Sequence, residues 1–204
     1  MTVARCADCD REVSPDSSSC PACGCTFILI LPARKTVAAD SAEKLLLVVA
    51  LHEAGHLVVA HFSTYFGIGE LAVQIGRSGE GGALSGVKRL RSAAAEEHRL
   101  PSTREIVKIA LAGKAAEVVF LSLQPTDGEQ LIPNPDGANQ DLEYARRSLS
   151  GMKILNEYDQ LWAETLAQVQ KEWALIKKVA AFIFTSSETT IDRATLLKVF
   201  DSTA

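Results

Sequence analysis

Two histidines and a glutamate stand at a spacing that chemistry can use. His52, Glu53 and His56 form the pattern H-E-x-x-H within residues 45–62, LLLVVALHEAGHLVVAHF. On a helix, residues four apart share a face, one turn above each other. Two imidazoles so placed reach one zinc ion at roughly 2.0–2.1 Å. A zinc held this way acidifies water to a pKa of about 7, and Glu53, next in sequence to a ligand, is placed to take the proton as the water attacks a carbonyl. The motif therefore gives two ligands and a base and calls for a third protein ligand. Chance spacing on a core helix is the bland alternative. Apolar residues flank the motif on nearly all sides, so the helix is expected to be buried. Burying two imidazoles and a carboxylate without partners costs several kcal/mol.

A helix must carry this motif and other elements must close it. Asp40 or Ser41 suits its N-cap, and its end is expected near Gly67 and Gly69. Residues 71–75 and 83–90 read as a small hairpin around a glycine-bearing turn. A second helix is expected over residues 101–120, with Ile106, Ile109, Ala110, Ala116, Val119 and Phe120 as apolar positions. A third starts near Gln140. Residues 158–184 read as one long amphipathic helix with Trp162 and Trp173 in the core, and residues 191–200 as a short closing helix. The fold class is mainly α with a small β-hairpin.

The 204 residues are 47% hydrophobic and 23% charged, with net charge -4. That suits one sizeable core and a small appended module, and it disfavours a general nucleic-acid binder. The apolar run before His52 is too short to span a bilayer. The N-terminus shows no basic-then-apolar leader, so a cytoplasmic location is expected. Glycines at residues 79–86 lack the G-K-[ST] ending of a phosphate loop, and no nucleotide site is expected.

All five cysteines fall within the first 25 residues. Cys6 and Cys9, then Cys20 and Cys23, are two C-x-x-C pairs that suit a tetrahedral zinc. Residues 1–30 are thus expected to form a zinc-ribbon-like module whose folding depends on metal. A disulfide framework is the alternative, and Cys25 is surplus. The apolar run at residues 27–31 suits a strand that completes the ribbon or packs on the body. Residues 31–41 read as a linker and residues 42–204 as the main domain.

The third ligand is left open by the residues themselves. His61 lies on the opposite helix face and His98 in a polar stretch, so a carboxylate is expected, with Glu117 and Asp141 as candidates. HEAGH at residues 52–56, GAL at 82–84, LAGKAAE at 111–117 and GANQDLEYA at 137–145 occur in that order. Over residues 42–204 this series resembles the peptidase domain of the FtsH-type ATP-dependent zinc metalloproteases. The resemblance implies that Asp141 joins His52 and His56 on a catalytic zinc, that Glu53 is the general base, and that a strand at Ala83, Leu84, Ser85, Gly86 and Val87 aligns the substrate. It also implies a homo-oligomeric ring. The chain departs from that pattern in carrying no AAA ATPase module, with Arg146 where a threonine is usual. The reading is an ATP-independent zinc metalloendopeptidase acting on unstructured or partner-delivered polypeptides. It uses one catalytic and one structural zinc, and the ribbon is expected to dock a protein partner or a nucleic acid. A non-catalytic zinc-binding regulatory or adaptor protein that keeps the peptidase fold is the competing reading.

Overall fold

The computed structural model describes residues 2–6, 12–14, 17–22, 28–32, 36–38, 42–74, 86–90, 96–123, 130–132, 138–186, 188 and 190–201. The protein is mainly helical. Its helices are α1 (Ala42–His61), α2 (Arg99–Leu123), α3 (Asn139–Gly151), α4 (Tyr158–Lys171), α5 (Trp173–Thr185) and α6 (Arg193–Asp201). Its strands are short: β1 (Thr2–Cys6), β2 (Glu12–Val13), β3 (Ile28–Pro32), β4 (Thr36–Ala38), β5 (Phe66–Ile68), β6 (Leu71–Gln74), β7 (Val87–Arg89), β8 (Gln130–Ile132) and β9 (Thr190–Asp192).

α1 lies at the centre. Every residue from 50 to 60 is buried, as its apolar sequence requires. It packs chiefly on α2 and α5, and α2 packs in turn on α3 and α4. The crossing of α1 and α2 is close because Gly55 has no side chain. A Cβ there would stand 2.5 Å from the Ala112 carbonyl oxygen and 3.0 Å from Ala116 Cβ. Small residues on both helices therefore bring the face carrying His52 and His56 against α2. Trp162 is fully buried and Trp173 packs half-buried on the same core.

Several boundaries differ from expectation. α1 ends at His61, and Gly67 lies inside a strand. The expected hairpin does not form as read. β6 pairs antiparallel with β9, Val73 opposite Ile191, while β7 pairs with β5, Ile68 opposite Val87. The returning strand is real, but its partner precedes the expected one. The long helix over residues 158–184 is two helices, α4 and α5, turning at Glu172. Glu172 N–H still bonds to the Gln168 carbonyl, so the chain bends without losing that bond. The closing helix begins two residues late, because Ile191 is needed in β9. Asp192 Oδ1 then accepts from the Thr195 N–H at 2.7 Å, capping α6.

At the N-terminal end, β1 pairs antiparallel with both β2 and β3, so the apolar run at residues 27–31 does contribute a strand. The stretch read as a linker carries β4, which runs parallel to β8, Val37 opposite Leu131. The N-cap residues Asp40 and Ser41 lie outside the described residues. Among the described residues no helix is long and apolar enough to cross a membrane.

Candidate metal centre

α1 presents His52 and His56 one turn apart, and α3 brings Asp141 to them from 89 residues away. His52 Nε2 and His56 Nε2 are 3.0 Å apart. Asp141 Oδ2 is 3.1 Å from His52 Nε2 and 3.2 Å from His56 Nε2. Three potential ligand atoms thus form a nearly equilateral triangle. Ligands of a tetrahedral zinc stand roughly 3.3 Å from one another, given bonds of about 2.0–2.1 Å, so the triangle is close to the size a metal needs.

Hydrogen bonds on the far side of each ring fix what the triangle contains. His56 Nδ1 is 2.6 Å from the Ile109 carbonyl oxygen, which can only accept, so Nδ1 carries the hydrogen. His52 Nδ1 is 2.7 Å from Glu117 Oε1 and donates likewise. In neutral rings both Nε2 atoms then offer lone pairs, and the Asp141 carboxylate offers more. Three acceptors face one another with no donor between them. Such an arrangement needs a cation, and His52, His56 and Asp141 form a group able to hold a metal ion.

The electrostatics follow from this crowding. Burial pulls the His52 pKa down, but its bonds to Asp141 and Glu117 outweigh that and raise it to about 10. Burial pushes Asp141 up, and its contacts with His52 and His56 overcome this, so its carboxyl stays far below the usual range. Glu53 is nearly fully buried, and burial raises its pKa against the pull of His56 and His52. Its Oε2 has no hydrogen-bond partner among the described residues. A buried, unpartnered carboxylate oxygen beside the triangle is free to take a proton.

Behind His52 stands a second buried pair. Lys114 Nζ donates to Glu117 Oε2 at 3.2 Å, and both side chains are only 4% exposed. Burial pushes Glu117 up, while its bond from His52 and the Lys114 charge bring it below the usual carboxylate range. Of the two carboxylates open as third ligand, Asp141 therefore faces the Nε2 atoms and Glu117 the opposite ring nitrogen.

Gly113 completes the cradle. A Cβ at this position would lie 2.5 Å from both His52 Nε2 and His56 Nε2. The space it would fill is the space an ion would share, so only glycine leaves the triangle open. Sequence reasoning missed this role. The sole available signal was a glycine inside an otherwise alanine-rich helix, where glycine is unfavourable without a reason.

Other expected site residues divide. Cys9, Cys23 and the surplus Cys25 lie outside the described residues, Cys20 is buried, and Cys6 ends β1 opposite Ile28. Ala83, Leu84 and Ser85 also lie outside them. Gly86 and Val87 are described: the Gly86 carbonyl accepts from the Gly69 N–H, and Val87 opens β7. β7 has β5 on one edge and no strand on the other among the described residues. His61 stacks on Phe200 at 4.3 Å, and His98 Nδ1 lies 3.3 Å from the Tyr65 hydroxyl, so neither joins the centre. Arg146 lies over the Tyr158 ring at 5.1 Å, packing α3 on the start of α4.

No protein-family model and no curated protein matches the chain.

Proposed function

We propose that the protein is a zinc metallopeptidase that hydrolyses peptide bonds in unstructured or partner-delivered polypeptides, as the FtsH-type peptidase domains its motifs resemble do. One observation carries the reading. Two imidazole nitrogens and a carboxylate oxygen converge within 3.0–3.2 Å, and next in sequence to His52 a buried Glu53 oxygen has no hydrogen-bond partner among the described residues.

His52, His56 and Asp141 would hold the ion. Two imidazoles and a carboxylate are a donor set that suits zinc. A bound zinc supplies a Lewis acid and a water acidified to a pKa of about 7. Glu53 is the general base. Its Oε2 takes a proton from the attacking water and passes it to the departing amine. The raised pKa suits that task, because a base poised closer to neutrality both accepts and returns a proton. Glu117 and the Ile109 carbonyl hold each imidazole in the tautomer that turns Nε2 inward. The edge of β7 away from β5, which carries no strand among the described residues, offers backbone groups to an extended substrate, which an unstructured chain can match. A second, structural zinc on Cys6, Cys9, Cys20 and Cys23, with a partner docking through that module, rests on cysteine spacing.

The test compares wild type with Glu53→Gln on an unfolded casein-like substrate, without nucleotide, with zinc content measured in both. The reading expects a loss of about 10²-fold or more in the variant, zinc content unchanged. Equal activity in the two proteins, both zinc-loaded, would sink it. A zinc-loaded wild type that cuts nothing would favour the non-catalytic adaptor.

A further inference from the structure

A cleft of about 550 Å³ runs beside β7, past the first turn of α2 and along the second half of α3. Arg89, Arg99 and Arg147 line it, one from each of these elements, and among the described residues no aspartate or glutamate does. Arg99 pairs with Glu96 at 3.3 Å and Arg147 pairs with Glu143, and both pairs are exposed. Exposed pairs of this kind are weak. Each engages one nitrogen of a five-donor guanidinium, so the fork can still receive a carboxylate. Tyr144, half-exposed, stands in the same wall.

Position ties this cleft to the metal centre. Ser148 and Met152 line it and share the α3 face that carries Asp141. Ser148 is seven residues past Asp141, about 10 Å along the helix. An extended peptide rises about 3.3 Å per residue and covers that distance in about three residues. Val87 and Arg89, two apart on β7, also line the cleft, so a peptide laid on the edge of β7 away from β5 would pass its mouth.

We infer that this cleft is a subsite for a carboxylate of the bound polypeptide, held by Arg89, Arg99 and Arg147 about three residues from the bond to be cut. The inference rests on the peptidase reading, and it adds a substrate class: acidic chains. The carboxylate can come from an aspartate or glutamate side chain or from a chain terminus.

The test uses zinc-loaded Glu53→Gln protein and labelled peptides of one unstructured sequence. Their C-termini are amidated, and Glu, Gln or Lys is placed at successive positions. Binding is read by fluorescence anisotropy at about 0.15 M salt, where long-range charge effects are screened. The expected result is roughly tenfold tighter binding for Glu than for Gln at one position, with Lys weaker still. A further peptide without internal Glu but with a free C-terminal carboxylate separates the two sources. The same gain there assigns the cleft to chain ends, and its absence assigns it to side chains. The exposed double substitution Arg89→Gln with Arg147→Gln should abolish the preference, so that the Glu and Gln peptides bind alike. Equal binding of all three peptides at every position, no binding of any, or a preference that survives the double substitution overturns the inference. Wild-type cleavage of the same peptides separates the two ideas. Cleavage without preference sinks the subsite alone, whereas selective binding without cleavage sinks the peptidase reading and keeps the cleft.

Discussion

The Nε2 atoms of His52 and His56 face one another at 3.0 Å, and in neutral rings neither has a hydrogen to offer. Each ring has committed its hydrogen to the other side, to Glu117 and to the Ile109 carbonyl. Asp141 closes the triangle with negative charge. Without a metal the protein meets the need for a cation by protonating His52, whose pKa rises to about 10 despite burial.

Metal and proton therefore compete for one nitrogen. With its pKa raised to about 10, His52 carries at neutral pH a proton that the ion must displace, so affinity rises with pH through the neutral range, about tenfold per unit for one proton. Chelator competition at pH 6.5, 7.5 and 8.5 should show this slope, and calorimetry in two buffers should count one proton released. A flat profile would contradict the arrangement.

Gly113→Ala should remove the metal without removing the helix. The added carbon would sit 2.5 Å from both ligand nitrogens. Alanine is the better helix former by about 1 kcal/mol, so the circular dichroism spectrum should be unchanged while zinc affinity falls by about 100-fold or more. Retained affinity would mean that the ion sits elsewhere.

The pair behind His52 has separable roles. Glu117→Gln weakens the orienting bond to Nδ1 and should cost about 10–100-fold in metal affinity. Lys114→Met leaves a buried carboxylate with one partner fewer and should destabilise the fold by about 3–5 kcal/mol. Urea unfolding of the double variant should show much of that loss recovered, because no unpaired charge stays buried.

Arg104 grips Glu157 through two bonds of 2.7 Å, tying α2 to the turn before α4. The Arg104 bond holds the Glu157 carboxyl below its usual range. A lowered acid pKa stabilises the fold above the unfolded value of about 4.3 and ceases to do so as pH falls through the folded value. Arg104→Gln should thus lower the melting temperature at pH 7, and the deficit should shrink below about pH 4. A deficit equal at both pH values would assign the effect to packing instead.

What could be read from the residues depended on distance along the chain. His52, Glu53 and His56 are local, and helical periodicity places them on one face. The apolar flanks foretold the burial of α1, and both tryptophans lie in or against the core. Asp141 is different. No spacing rule links it to His52, and only the resemblance of the series of motifs chose it over Glu117. Glu117 was recognised as a carboxylate near the site, but which ring nitrogen it meets depends on how α2 crosses α1. The strand pairings were misread for the same reason, since β6 finds its partner β9 about 120 residues later. Nothing at Glu172, neither glycine nor proline, announced the break between α4 and α5.

The contact of Gly55 with Ala112 has a consequence for how the centre is made. Both imidazoles, Gly113, Lys114 and Glu117 belong to the single crossing of α1 and α2. On the ribosome all of them emerge before Asp141. In chain order the two imidazoles and the Lys114–Glu117 pair behind them therefore precede the carboxylate that completes the triangle. The docking of α3 is then the step that closes the triangle, so its packing on α2 governs whether the three ligand atoms meet at all.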